Sequence, residues 1–266
     1  MKCTMLGTGH AMVTKCYNTC FILEENKEYF LVDAGGGNTI LSQLEKVNLQ
    51  PSDIHTLFVT HKHLDHITGV LWLLRCWGQY LKFSKREEVF TIYSHKEVIE
   101  ILHSMALQLL PSLLRDLLGK QIQLIETTDG QTEKILGYPT TFFDIQSKKD
   151  VQFGFCMHTP IGKISCCGDE PYHICNKDMI ENSTWLFHEA FCLDSQAEIF
   201  HPYFASHSTV KDACNNARQL HIQNLVLYHT EDTNLQCRKE LYTNEGKRYY
   251  SGNLFVPDDL ESIEIK

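Results

Sequence analysis

Short extended runs separated by turn residues fill the first third of the chain. Cys3-Thr4-Met5-Leu6 ends at Gly7-Thr8-Gly9, and the runs Asn18 to Leu23 and Tyr29 to Val32 flank polar Glu24-Glu25-Asn26-Lys27. Two runs about a polar tetrapeptide predict a hairpin. After Asp33-Ala34-Gly35-Gly36-Gly37, the apolar positions Ile40, Leu41, Leu44 and Val47 recur at helical spacing, which predicts a helix over 39–47. A strand follows over 55–60, centred on Leu57-Phe58-Val59. Ile67 to Leu81 then has helix-compatible spacing, and Val89 to Tyr93 reads as another strand.

The second half begins with a long helical pattern from His95 to Leu118 that Pro111 breaks. Strands are expected at 121–126, 133–136, 140–145 and 152–157. Thr159-Pro160-Ile161-Gly162 makes a tight turn into a partner strand over 163–167. The order then becomes strand (185–187), helix (209–220), strand (224–228) and helix (234–242). No short repeat and no low-complexity linker interrupts it. Both halves run β-rich and then α, the pattern of an α/β (α+β) chain in which two sheets pack face to face with helices outside.

Composition narrows the partners. The chain has 266 residues, against about 150 per domain, and is expected to form one domain over 1–266. Twenty-four basic against thirty-three acidic residues leave a formal charge of −9. That balance disfavours stable binding to nucleic acid or an anionic membrane. The run Ile67–Leu81, interrupted by Arg75 and Gln79, is too short to span a bilayer. Eleven cysteines, an odd number in a long chain with no cleavable leader pattern, imply reduced thiols and a cytoplasmic location.

The chemistry concentrates in His61-Lys62-His63-Leu64-Asp65-His66. His61 and His63 alternate as in extended chain and present both imidazoles to one side. Asp65 and His66 fall where the chain enters the next helix and reach a second point nearby. Imidazole with carboxylate suits zinc or iron, and manganese less well.

This hexapeptide matches the H-x-H-x-D-H signature of the metallo-β-lactamase superfamily, and the resemblance extends along nearly the whole chain. Leu6-Gly7-Thr8-Gly9 and Val32-Asp33-Ala34-Gly35 resemble the opening strands of that fold. Cys167-Gly168-Asp169 is similar to its metal-bridging motif. His188-Glu189-Ala190, His207-Ser208-Thr209 and strand-ending His229 resemble, in order, motifs of the ribonuclease Z branch. Alone, Asp169 reads as a turn residue, His229 as a surface histidine and Ser208 or Thr209 as a helix cap. Their order behind the hexapeptide decides between the readings.

The resemblance implies a four-layer αββα sandwich holding two divalent ions, zinc first and manganese or iron as alternatives. His61 and His63 would bind the first ion, Asp65, His66 and His229 the second, and Asp169 would bridge them. A metal-bound hydroxide would attack a phosphodiester. Asp65 would accept the water's proton, and His207, oriented by Glu189, would contact the phosphate or protonate the leaving oxygen. A family histidine is missing before Phe153-Gly154-Phe155, where Gln146 sits nearest the expected place. A neutral amide is the weaker ligand, so the first site is expected to be weak or selective for a harder ion. His158-Thr159-Pro160 is rejected as a ligand motif: at ~3.3 Å per residue its hairpin tip lies roughly 20–25 Å from Asp169.

The branch's tRNA-gripping arm has only the twelve residues from Cys156 to Cys167 available to it here. This disfavours tRNA processing and points to a small phosphodiester or nucleotide substrate. Hydrolysis of a thioester, lactone or lactam, and a non-catalytic metal-binding sensor, remain rival readings. Lys148-Lys149 and Lys85-Arg86 read as solvated charge pairs and Gly35-Gly36-Gly37 as a turn. Leu107–Leu118 reads as core or as a contact in a homodimer.

Overall fold

The computed structural model describes residues 1–84 and 86–266; Lys85, read above as half of a charge pair with Arg86, lies outside them. The first half contains β1 (Lys2–Gly7), β2 (Cys20–Glu25), β3 (Glu28–Val32), α1 (Thr39–Lys46), β4 (Thr56–Phe58), α2 (Leu64–Ser84), β5 (Phe90–Ser94), α3 (Lys96–Leu109), α4 (Ser112–Arg115) and β6 (Ile122–Glu126). The second contains β7 (Thr132–Ile135), β8 (Tyr138–Asp144), β9 (Phe153–Thr159), β10 (Gly162–Cys166), α5 (Lys177–Ile180), β11 (Trp185–Glu189), α6 (Ala197–Phe200), α7 (Val210–Gln219), β12 (Asn224–Tyr228), α8 (Arg238–Gly246), β13 (Asn253–Phe255) and β14 (Ser262–Glu264).

Two sheets result, in the orders β14-β1-β2-β3-β4-β5-β6 and β13-β12-β11-β10-β9-β8-β7. In the first, β1, β2 and β3 pair antiparallel and β3, β4, β5 and β6 parallel. The second repeats the plan: β7 to β10 pair antiparallel and β10 to β13 parallel. The αββα expectation is borne out.

Strand alternation builds three cores from two sheets. Leu57 turns toward α1, α2 and α3, and Phe58 between the sheets. Leu225 and Leu227 pack on α7, whereas Val226 and Tyr228 face inward. Strands covered on both faces read as unbroken apolar runs, so the sequence pattern finds them without showing which side faces which layer. The inter-sheet layer is aromatic: Phe21 stacks on Phe187 at 4.7 Å, and Phe30 and Phe58 meet Phe155 edge-on.

Several boundaries differ from the sequence expectation. Pro111 ends α3 as anticipated, with a short turn of helix after it. The last helix begins at Arg238 rather than Asn234 because the Glu231 carboxylate accepts the backbone N–H groups of Thr233 and Asn234, holding that stretch as a turn. Strands β13 and β14 were not anticipated; three residues each are too few to show a period. They add to β12 and to β1 respectively. Buried Arg238 ties this tail down, donating to Thr8, Thr230, the Pro257 carbonyl and Asp258.

All eleven cysteines are unpaired thiols. No helix among the described residues is long and apolar enough to cross a membrane. Replacing Phe187 by Ala removes one partner of the central stack, and a loss of about 3–5 kcal/mol is expected. Urea denaturation monitored by circular dichroism measures it; a loss under about 1 kcal/mol would contradict the packing described.

Candidate metal centre

The cluster forms outside the carboxyl ends of the parallel strands, where open α/β sheets leave a crevice. His61 and His63 follow β4, Asp65 and His66 occupy the first turn of α2, Asp169 follows β10, and His229 follows β12. Asp65 at a helix N-terminus has the sign that the helix dipole favours. Three of the delivering loops turn through positive φ: Asp33 (56°), Gly168 (71°) and His229 (59°). Such values are uncommon for residues other than glycine and concentrate at functional sites. Gly69 lets α2 press onto the turn after β3, since a Cβ there would lie 1.9 Å from the Ala34 carbonyl oxygen.

Asp33 organises the proton positions. One of its oxygens accepts from Thr60 N–H (2.8 Å); the other accepts from the Thr60 hydroxyl (2.8 Å) and from His66 Nδ1 (2.7 Å). Because Thr60 spends its only hydroxyl proton on Asp33, its oxygen must accept from His61 Nδ1 at 2.9 Å. His61 Nε2 is thereby left as a lone pair, and His66 Nε2 is turned toward Asp65. His63 Nε2 meets Asp150 Oδ2 at 3.1 Å and donates to it, which leaves His63 Nδ1 as a lone pair too, 2.8 Å from His61 Nε2.

Ring nitrogens and carboxylates therefore face one another at close range. Asp169 Oδ2 lies 3.4 Å from His61 Nε2, 3.7 Å from His66 Nε2 and 3.6 Å from His229 Nε2. Asp65 Oδ2 lies 3.3 Å from His66 Nε2 and 3.7 Å from His229 Nε2. Buried His66 Nε2, Asp169 Oδ1 and both His229 ring nitrogens have no hydrogen-bond partner. Leaving such groups bare costs about 1–3 kcal/mol each. Within 4.8 Å the donors fall into the sets His61–His63–Asp169, Asp65–His66–His229 and Asp169–His207–His229. Nitrogen with carboxylate oxygen is the donor set for borderline divalent cations; the residues fit the group.

The electrostatics differ between the two rings. Burial pulls His61 well below its ordinary value. Burial also depresses His66, but the Asp65 and Asp33 carboxylates together overcome it and hold that ring well above its ordinary value, so Nε2 carries a proton that a binding cation would displace. Against burial, the neighbouring imidazoles keep Asp65 and Asp169 far below the usual carboxylate range.

His207 and Glu189 are arranged differently from the expectation. His207 Nδ1 donates to the main-chain carbonyl of Asp169 at 2.9 Å, whereas Glu189 Oε2 is 3.8 Å away, beyond hydrogen-bond reach. Glu189 instead accepts the Ser208 backbone N–H at 2.6 Å and steadies the loop that carries the histidine. Thr209 caps α7 in a reciprocal pair with Asp212, so the capping reading of this motif also holds. Burial first, and His229 second, push His207 down to about 4.

The cluster opens into a cavity of about 80 Å³ whose walls include His10, Lys149, Gln152 and Glu170. Glu170 and His207 also line an adjoining cavity of about 260 Å³. A larger cavity of about 440 Å³, beside Cys16, Lys46 and Asp259, contains none of the clustered donors. Gln146 is not brought to the centre. It is exposed, has φ of 62°, and lines the adjoining cavity, because the turn after β8 points it outward. His158 is exposed in the β9–β10 hairpin, paired with Lys163 away from the centre. Sequence reasoning took Asp33 only as part of a strand-end motif and passed over Asp150. The usable signal for Asp33 was an acid directly after an apolar strand.

Comparison with known proteins gives a consistent picture. The family described as "Anti-Pycsar protein Apyc1" matches residues 1–245. Ribonuclease Z of Methanococcus aeolicus is 35% identical over 99 residues, 37% of this chain and 29% of that enzyme. The metallo-β-lactamase fold protein YhfI of Bacillus subtilis superposes with a TM-score of 0.80 at 18% identity, covering 98% of both chains. The short form of human tRNase Z superposes with a TM-score of 0.75 at 21% identity over 100% of both. The fold expected from the motifs is borne out, and the match to ribonuclease Z, confined to about a third of either chain, agrees with the branch those motifs resemble.

Asp33→Asn tolerates the positive φ but removes the charge that orients His66. Cation affinity at the Asp65–His66–His229 position is expected to fall about 10–100-fold, read by zinc titration and elemental analysis; unchanged uptake would contradict the role given to Asp33.

Proposed function

The chain belongs to the Anti-Pycsar protein Apyc1 family and has the metallo-β-lactamase fold, and from that premise we propose that it is a metal-dependent hydrolase of small phosphodiesters or nucleotides. The observation that carries the reading is the convergence of imidazole nitrogens and carboxylates into adjacent, overlapping donor sets.

His61 Nε2, His63 Nδ1 and Asp169 would hold a first divalent ion, and Asp65, His66 and His229 a second, with Asp169 reaching both. Zinc is the first choice, manganese or iron the alternatives. Bound cations supply Lewis-acid polarisation of the phosphoryl oxygens and an acidified water. Asp65 would be the carboxylate that takes the attacking water's proton. His207 Nδ1–H is committed to the Asp169 carbonyl, so Nε2 is the nitrogen free to bind phosphate or pass a proton to the leaving oxygen. Its imidazole, pushed down to about 4, is neutral at pH 7. To protonate the leaving oxygen, Nε2 would first take a proton from solvent, which an adjacent phosphate anion favours.

Two features support a small substrate. The paired cavities of about 80 and 260 Å³ match the scale of a small-molecule site. The tight Thr159–Gly162 turn leaves no extension between β9 and β10 to grip a folded RNA, and the charge of −9 opposes one.

Protein loaded with zinc or manganese is expected to cleave aryl, cyclic or dinucleotide phosphodiesters and not thioesters, lactones or lactams; the reverse preference would overturn the assignment. His63→Ala and Asp169→Ala are each expected to lower kcat/KM at least about 100-fold with loss of bound metal. His207→Ala should keep the metal and lower kcat about 10²–10⁴-fold. An activity unaffected by all three places catalysis elsewhere.

A further inference from the structure

The loop that lacks the third histidine brings an acid to the centre from another direction. Asp150 lies between β8 and β9, and its Oδ2 is 3.1 Å from His63 Nε2. Its other oxygen is 2.7 Å from Lys62 Nζ, and Lys62 is in turn held by Glu97 of α3 at 2.7 Å. An ion-paired row, Glu97–Lys62–Asp150–His63, thus runs along the rim, with Lys62 supplied by the hexapeptide itself.

We propose that Asp150 is a positioning residue for the first cation: by accepting the Nε2 proton of His63 it fixes the tautomer and ring orientation that turn Nδ1 toward His61 and Asp169. His63 needs this more than its neighbours do. Its side chain is 41% exposed while that of His61 is fully buried, so packing alone does not fix its ring. Asp150 meets the edge of the imidazole opposite the one that faces His61, so it is not itself a ligand; the donor sets within 4.8 Å do not include it. Lys62 Nζ, 2.7 Å from its other oxygen, sets a cation beside the Asp150 carboxylate and holds it in place to accept from His63. A carboxylate behind a ligating imidazole raises its basicity, which offsets the missing imidazole in the first site. This inference rests on the reading that His61, His63 and Asp169 hold a cation, and not on which bond the enzyme cleaves.

The test uses metal binding rather than turnover. Full-length protein and its Asp150→Ala, Asp150→Asn and Lys62→Met variants are stripped and titrated with cobalt and zinc. Stoichiometry is read by elemental analysis and the first site by cobalt visible absorption. Asp150→Ala is expected to bind the second ion as wild type does and the first about 10–100-fold more weakly, with a shifted cobalt band. Asp150→Asn, which still accepts the N–H bond without the charge, should fall between, and Lys62→Met should lose less than Asp150→Ala. A folded Asp150→Ala protein that takes both ions with wild-type affinity and spectrum, or one that loses both equally, overturns the proposal. Wild-type protein that binds no cation overturns the metal reading on which it rests. Full metal binding without phosphodiester cleavage overturns only the substrate assignment.

Discussion

A single constraint organises this protein: buried ring nitrogens and ionised carboxylates must be held together at close range, out of water. Asp33 serves it by accepting hydrogen bonds from Thr60 and His66, which orient those two side chains and, through Thr60, His61. The backbone accepts positive φ at Asp33 and His229 to achieve this.

The two-sheet plan explains how residues so far apart in sequence converge. Each half runs antiparallel strands into a parallel set, and the parallel ends of both sets open at one rim. The first half contributes the hexapeptide after β4 and Asp33 after β3. The second contributes Asp169, Glu189 and His229 from β10, β11 and β12. The aromatic layer between the sheets, with Phe21 on Phe187 at 4.7 Å, fixes the spacing across which these side chains meet.

Much of this was legible from the chain because double-sided burial writes unbroken apolar runs and because the hexapeptide has few innocent explanations. What failed to show was set by tertiary contacts. Gln146 occupies the place in sequence where a ligand was expected, but a left-handed turn sends it outward. Asp150, four residues on, meets the outer edge of His63. The Glu189–His207 partnership expected from motif order is replaced by main-chain bonds to Asp169 and Ser208, since pattern alone does not distinguish an acid aimed at a ring from one aimed at the amide beside it. The repeat of plan between halves showed in the sequence only as β-rich runs followed by α; the strand order within each sheet is set by tertiary pairing.

The stretch after residue 245 has a role beyond finishing the sheets. Strand β13 lies on the β12 edge of one sheet and β14 on the β1 edge of the other, and Arg238 pins the turn between them. One short segment therefore acts as a clasp across the sandwich. Sliding one sheet over the other would break both edges at once, so the gap between the donors each sheet carries behaves as a fixed gauge rather than a hinge. Any opening that admits a substrate must come from the rim loops alone.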